Sequence, residues 1–276
     1  METQQSLKEQ IDSLMAVEHA NTERLAANPS FYPVPTRQNL FDRKRQRYDA
    51  SRYVCVAFRR RTDYWKNWWV PFGNMNSGFD FEIGGVRFPS TEHAYMCGMY
   101  STGRSKHIAL QQAILNEKSA YIAKRTIRSK NPARLTWHCI MLEWMLYCVW
   151  EKTRQSEEFR KLLMAVPRYA VIIEDSSFNP RAGTYWGCVN PERKAFASLV
   201  RKYVRTIAFQ KKQERDRAMD TLLWDFCNFG VFEGRNQMGK ILTYIKECLH
   251  QGTEPEIDYE LLNRKKIHLL GRRLEF

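Results

Sequence analysis

The stretch "FPSTEHAYM", Phe88 to Met96, sets a proline, two hydroxyl residues and an acid–histidine pair directly ahead of a helical run. Ser90 is a natural N-cap, because its hydroxyl accepts from the free amides of the first turn and leaves Thr91, Glu92 and His93 at positions N1 to N3. Glu92 then stands where the helix dipole favours an anion. Those features alone describe a well-capped structural helix, so the surrounding segments carry the weight. Just upstream, "FDFEIGGVRF" (Phe79 to Phe88) reads as two short alternating strands around a Gly84-Gly85 turn. A hairpin that feeds a capped helix is the first sign of an α+β chain.

Working outward, most of the remaining signal is helical. Leu7, Ile11, Leu14 and Met15 repeat at helical spacing and predict an amphipathic helix or helix pair ending near Asn28-Pro29. Its apolar face needs a partner. Apolar positions recur from Ile108 to Lys130, closed by Asn131-Pro132, and a long helix over 133–152 carries Trp137, Met141, Trp144, Met145 and Val149 on a broad core face. "SEEFRKLLMAV" predicts one more helix, "YAVIIED" a buried strand ending in Glu174 and Asp175, and "RAGTYWGC" an irregular loop. In "FGVFEGRNQMGKILTYIKECL" a Gly-rich turn, Gly234-Arg235-Asn236, leads into a final long helix from about Gln237. Backbone amides and the dipole at such a start are suited to phosphate. The expected class is mainly α with a few short strands, α+β.

The 276 residues hold 44 Lys and Arg against 30 Asp and Glu, a net charge of +14. That excess favours phosphates or another anionic surface. Two segments concentrate it. Arg37 to Lys66 contains ten Lys or Arg, among them Arg43, Arg45, Arg59, Arg60 and Arg61, interleaved with Phe41, Tyr48, Tyr53, Phe58, Tyr64, Trp65, Trp68 and Trp69. Cations beside exposed rings suit a nucleic-acid groove; equally, "RYVCVAF" suits a strand with its aromatics in the core and arginine stems over them. Arg193 to Arg217 holds nine more Lys or Arg, with Leu199, Tyr203, Val204 and Ile207 as an apolar stripe. A helix there presents Arg201, Lys202, Arg205 and Lys212 outward.

Seven cysteines without a C-x-x-C pair argue against a zinc ribbon and a secreted disulfide framework, and read as reduced cytosolic thiols. The six histidines lack ligand-like i,i+4 pairing, so neither a metal nor another cofactor is expected. The first residues lack a signal-peptide layout. The most apolar run, Cys139 to Trp150, is interrupted by Glu143 and too short to span a bilayer. A cytoplasmic protein is the expectation.

The order of "FGNM" (Phe72 to Met75), "GGVRFPSTEHAYM", "WHCIMLEWM", "VIIED", "YWG" and "GRNQMGKIL" resembles the NADAR (YbiA-like) family. The resemblance covers about residues 70–245. It divides the chain into an N-terminal helix and basic aromatic extension (1–66), a NADAR-like catalytic domain (67–250) with an inserted basic segment at about 188–233, and a basic, partly ordered tail (251–276). It implies an N-glycosidase that breaks a ribosyl C1–N bond, in riboflavin-pathway intermediates or in ADP-ribosylated guanine. Carried over by motif, Asn74 contacts the ribose beside Phe72, Glu92 lies at the reacting carbon and His93 orients it. Glu174, Trp186 and Gly187 wall the pocket, and Gly234, Arg235 and Asn236 lie near the phosphates.

Two departures stand out. Family members usually show a lysine seven residues after the glutamate, the proposed Schiff-base nucleophile; here that place is Met99, and a thioether forms no imine. Lys106 is seven residues further on, beyond a helix break expected at Gly103. The inserted basic segment is the second departure.

A glycosidic bond breaks with positive charge developing on the sugar, which a carboxylate at C1 stabilises while another acid or water protonates the leaving base. A first-turn position suits Glu92 to the stabilising or water-activating role. Glu174 or Asp175 is the candidate for the second acid–base role. The cationic segments favour ADP-ribosylated DNA over a mononucleotide, with Arg43, Arg45, Arg59, Arg60, Arg61, Arg201, Lys202 and Arg205 as backbone contacts. By resemblance this places the chain in a toxin–antitoxin or phage counter-defence setting, in a bacterial cytosol or encoded by a phage. A riboflavin-pathway glycosidase and a non-catalytic nucleic-acid or ADP-ribose binding protein are the rival readings.

Overall fold

The computed structural model describes residues 3–42, 44–58, 70–177, 184–224 and 229–276. The class is α+β, mainly helical with short strands. In chain order the elements are α1 (Gln4–Ala27), α2 (Arg37–Leu40), β1 (Gln46–Asp49), β2 (Cys55–Phe58), a 3-10 turn at Val70–Phe72, β3 (Phe81–Ile83), β4 (Val86–Phe88), α3 (Thr91–Met99), α4 (Ser105–Asn116), α5 (Ala120–Thr126) and a second 3-10 turn at Arg128–Lys130. There follow α6 (Trp137–Gln155), α7 (Glu157–Met164), β5 (Val171–Glu174), β6 (Cys188–Val189), α8 (Pro191–Arg205), α9 (Lys212–Trp224), β7 (Val231–Gly234), α10 (Gln237–Gln251), α11 (Tyr259–Arg264), β8 (His268–Leu269) and β9 (Arg272–Arg273). Packing divides the chain into two interleaved units, Met1–Val70 with Val166–Glu247, and Pro71–Ala165 with Cys248–Phe276. These boundaries differ from the three-part division expected from the sequence.

In the Pro71–Ala165 unit the predicted hairpin and capped helix are both present. Gly84 (φ 57°) and Gly85 (φ 79°) close β3 onto β4 with Phe81 opposite Phe88, the two positive φ angles of a type I′ turn. The Ser90 hydroxyl accepts from the His93 amide. Every residue of α3 from Thr91 to Met99 is buried, far beyond one amphipathic stripe. The reason is α6: buried Trp144 donates its indole N–H to the Ala94 carbonyl at 3.0 Å. A Cβ on Gly98 would lie 2.2 Å from the Trp144 Nε1, so only glycine lets the two helices come this close.

Two expectations for this unit are corrected. The single helix over 108–130 is three pieces, α4, α5 and the 3-10 turn, because Ser119 opens a new N-cap on the Ile122 amide and the Glu117 carbonyl accepts from His93. The tail is integrated rather than partly ordered: Leu262, Ile267 and Leu269 are buried. Gln111 ties it down, donating to the Cys97 and His268 carbonyls and accepting from the Leu270 amide. Phe276 packs edge-on to Tyr147 at 5.0 Å.

In the Met1–Val70 and Val166–Glu247 unit, β2 runs parallel to β5 with Phe58 opposite Glu174. All four β2 residues are buried, as are Tyr48 and Phe58, so for these aromatics the core reading holds. A three-stranded antiparallel sheet, β1-β7-β6, stands beside them in the same unit. The partner of the α1 apolar face is α8 within the inserted segment, where Ile11 meets Phe196, Val200 and Val204. The insertion forms two helices, α8 and α9, instead of one. A fully buried ion pair bolts it on, Arg193 Nε donating to Asp175 Oδ2 at 2.7 Å. Loss of one partner of such a pair costs about 3–5 kcal/mol.

Candidate active site

Glu92 is the second residue of α3, and its side chain is only 7% exposed. Its amide donates to the Asn74 carbonyl at 2.9 Å, fastening the 73–76 turn over the helix start. Two cations from the next segment reach its carboxylate: Arg128 Nη1 at 3.3 Å and Lys124 Nζ at 3.6 Å. Both approach the same oxygen, Oε1. No donor among the described residues pairs with Oε2. Among the described residues Asn74 Oδ1 and Thr91 Oγ1 are buried without hydrogen-bond partners, while Asn74 Nδ2 rests on Met145 Sδ at 3.6 Å. Buried unpartnered oxygens cost free energy, and both belong to the segments that meet at the start of α3. Glu92 itself offers an anionic oxygen to a polar ligand, with neighbouring cations suited to a phosphate.

Two residues expected at this place have other duties. His93 does not orient Glu92: its Nδ1 lies 2.7 Å from the Ser90 hydroxyl and its Nε2 2.9 Å from the Glu117 carbonyl. A carbonyl only accepts, so Nε2 carries the proton and Nδ1 accepts from Ser90. Burial pushes the His93 pKa below its ordinary value, against the raising effects of the Glu117 carbonyl and the Glu92 charge. Phe72 is wholly buried, edge-on to Phe159 at 6.0 Å, and serves as the prop beneath the Asn74 turn. Met99, in the place of the family lysine, is buried near the end of α3, and Lys106 sits exposed on α4 beyond Gly103 at φ 72°.

The remaining expected site residues cluster in the other unit. Glu174 is half-buried at the end of β5, and its amide donates to Asn236 Oδ1 at 3.1 Å. Asp175 is not poised for proton transfer: its carboxylate binds Arg193 and the Ser177 amide. The phosphate reading of the α10 start is also corrected. Four consecutive amides, Arg235 to Met238, already donate to the carbonyls of Thr184, Gly187, Tyr185 and Trp186. Asn236, at φ 48° and fully buried, donates Nδ2–H to the Ile172 carbonyl at 2.9 Å. The glycines serve close approach: a Cβ on Gly187 would lie 2.3 Å from the Glu174 carbonyl oxygen, and one on Gly234 2.3 Å from that of Gly187. The motif is a backbone lock between β5 and α10. Trp186 is half-buried beside Tyr185, ring centroids 5.2 Å apart, and Arg235 lies over the Tyr185 ring at 5.2 Å.

Of the expected nucleic-acid contacts, Arg43, Arg59, Arg60 and Arg61 lie outside the described residues, as do Tyr64, Trp65, Trp68 and Trp69. Arg45 shares Glu233 with Arg47, at 3.9 and 3.2 Å. Arg201, Lys202, Arg205 and Lys212 are exposed, as the helical spacing predicts. Lys124 and Arg128 are the residues that sequence reasoning passed over. Their signal is visible afterwards: residues 118–142 hold six Lys or Arg and no Asp or Glu. Among the described residues no group of three His, Cys, Asp or Glu is placed to hold a metal ion, and no helix is long and apolar enough to cross a membrane.

No protein-family model matches this chain, and no curated protein does. Among solved structures, the NMR structure of the E. coli protein YbiA aligns with 61% of this chain and 83% of that one, at 18% sequence identity and a TM-score of 0.38.

Proposed function

We propose that this protein is an N-glycosidase that hydrolyses a ribosyl C1–N bond, with Glu92 as the group that stabilises the cationic sugar in the transition state. The observation that carries the proposal is the Glu92 carboxylate itself: buried, fixed through Oε1 by Arg128 and Lys124, and, among the described residues, without a partner at Oε2. A fixed anion in a water-poor place acts on a developing positive charge more strongly than one in bulk water, and it needs no reorganisation during the reaction. As the C1–N bond breaks, its electron pair leaves with the base, which takes a proton from a solvent water. Water then adds to C1 and loses a proton, a step Glu92 also serves as base.

The substrate we favour is ADP-ribosylated guanine in DNA. The net charge of +14 and the outward Arg201, Lys202 and Arg205 support a polyanionic substrate, since a mononucleotide with one phosphate makes no use of cations on so many elements. A setting that reverses DNA modification follows from that choice. The rival riboflavin-pathway glycosidase acts on free nucleotides and is indifferent to salt. A non-catalytic binder, the reading that Met99 keeps in view, forms a complex without product.

The test is incubation of the protein and Glu92→Gln with an ADP-ribosylated guanine oligonucleotide and with free ribosylated nucleotides, at two salt concentrations, following products by mass. Release of ADP-ribose from the oligonucleotide by the wild-type protein alone is expected. Cleavage of free nucleotides only, or binding without product from either, refutes the favoured reading.

A further inference from the structure

We propose that α5 and the 3-10 turn after it form the surface that holds a nucleic-acid backbone beside Glu92. This rests on the glycosidase reading for its purpose, although the surface is argued from its own residues.

Residues 118–142 hold six Lys or Arg and not one carboxylate, whereas the basic segments at 37–66 and 193–217 each include acids. One of the six, Arg134, is engaged internally, donating to the Ser101 and Lys265 carbonyls. The other five are Lys118, Lys124, Arg125, Arg128 and Lys130. Lys124 and Arg128 turn toward Glu92. Lys118, Arg125 and Lys130 are exposed and, among the described residues, pair with no carboxylate. These five cations fall within one short segment around α5 and the 3-10 turn, a concentration of charge suited to the closely spaced phosphates of a strand. Like charges so close repel each other, and that repulsion is relieved when phosphates enter.

One further feature favours nucleic acid over another polyanion: two of the cations, Lys124 and Arg128, reach Glu92, the carboxylate that acts on the sugar under the glycosidase reading. A membrane surface fits less well, because α5 buries Ala120 and Ala123 and exposes only Tyr121 and Ile122 as large apolar residues, whereas an interfacial anchor needs a long exposed apolar stripe.

The test measures binding of the full-length protein to a fluorescein-labelled, unmodified single-stranded 15-mer by anisotropy, from about 50 to 300 mM NaCl. The triple variant Lys118→Glu, Arg125→Glu, Lys130→Glu is compared with wild type, after circular dichroism and thermal melting confirm its fold. At least tenfold weaker binding is expected, with the slope of log K against log salt reduced by about 2. The single variant Arg125→Ala reduces it by about 0.7. Affinity within twofold of wild type overturns the proposal, as does a variant that loses binding to phosphatidylserine vesicles while keeping that to DNA. A product assay run beside the binding measurement separates this from the glycosidase reading: intact, α5-dependent DNA binding with no product from the wild-type protein removes the enzyme and keeps the surface.

Discussion

Two helix starts in this protein look alike as sequence and differ as chemistry. "PSTEH" opens α3 and "GRNQMG" opens α10, and each invites a functional reading because a helix N-terminus attracts anions. At α3, among the described residues, the carboxylate of Glu92 keeps one oxygen unpartnered, and Thr91 Oγ1 on the same first turn is buried without a partner. At α10 four amides in a row are already donated to the 184–187 loop, and the Asn236 side chain is divided between two backbone groups of β5. A helix start is a binding site only when its donors or side chains remain unengaged after folding. Motif spacing is silent on that point.

The strongest way to break the contrast is at Glu92. Glu92→Gln keeps the shape and removes the charge, so turnover should fall about 100- to 10,000-fold while thermal melting changes little. Measurable activity at the wild-type rate places the chemistry elsewhere.

The same contrast recurs between two buried lysines, and the sign of the outcome distinguishes them. Lys246 donates to three carbonyls, of Pro167, Arg168 and Ala170, at 2.7 to 3.2 Å. Lys152 is fully buried, has no hydrogen-bond partner among the described residues, and rests over the Phe159 ring at 3.8 Å. Burial drives its pKa from 10.5 down to about 7. The unfolded chain therefore takes up a proton below about pH 10 and the folded chain only below about 7, so stability drops as the pH falls through that window and levels off beneath it. Lys152→Met should stabilise the protein at pH 7 by on the order of 3 kcal/mol and flatten this dependence. Lys246→Met should destabilise it by about 2 kcal/mol, since three buried carbonyls lose their donor. Urea melts from pH 6 to 10 read both.

A smaller effect is expected at the engaged helix start. Asn236→Ala removes two buried hydrogen bonds at a left-handed position and should cost about 2 kcal/mol, read as a lower urea midpoint. Smallest of all is the response of this place to phosphate: hydrogen exchange at the amides of Arg235 to Met238 should be slow in the free protein and unchanged by 10 mM phosphate, on the view that bonded amides exchange only through opening. Slow exchange appearing only with phosphate restores the cradle reading.

What was legible in the sequence was local. The Gly84-Gly85 turn, the Ser90 cap, the β5 strand and the start of α10 each depend on residues a few positions apart, whose backbone preferences act wherever the chain goes. The helix over 108–130 misled because a continuous apolar rhythm hides a break that Ser119 and His93 make together across 26 positions. The basic stretch around Tyr48 and Phe58 misled in part because arginines beside aromatics look alike whether the rings face solvent or core; pairing of β2 with β5 puts these two rings inside.

By itself the sequence determined an α+β chain, a capped helix carrying an acid at its first turn, and a cationic surface, because capping, turn geometry and net charge are properties of short segments and of composition. Tertiary structure alone decided which polar groups stayed available. It gave His93 to Ser90 and Glu117, Asp175 to Arg193, and the α10 amides to a loop, and it brought Lys124 and Arg128 to Glu92 from more than 30 positions away. Hydrogen-bond donors and acceptors pair with whatever packing sets within about 3 Å, and that neighbourhood exists only once the chain has folded.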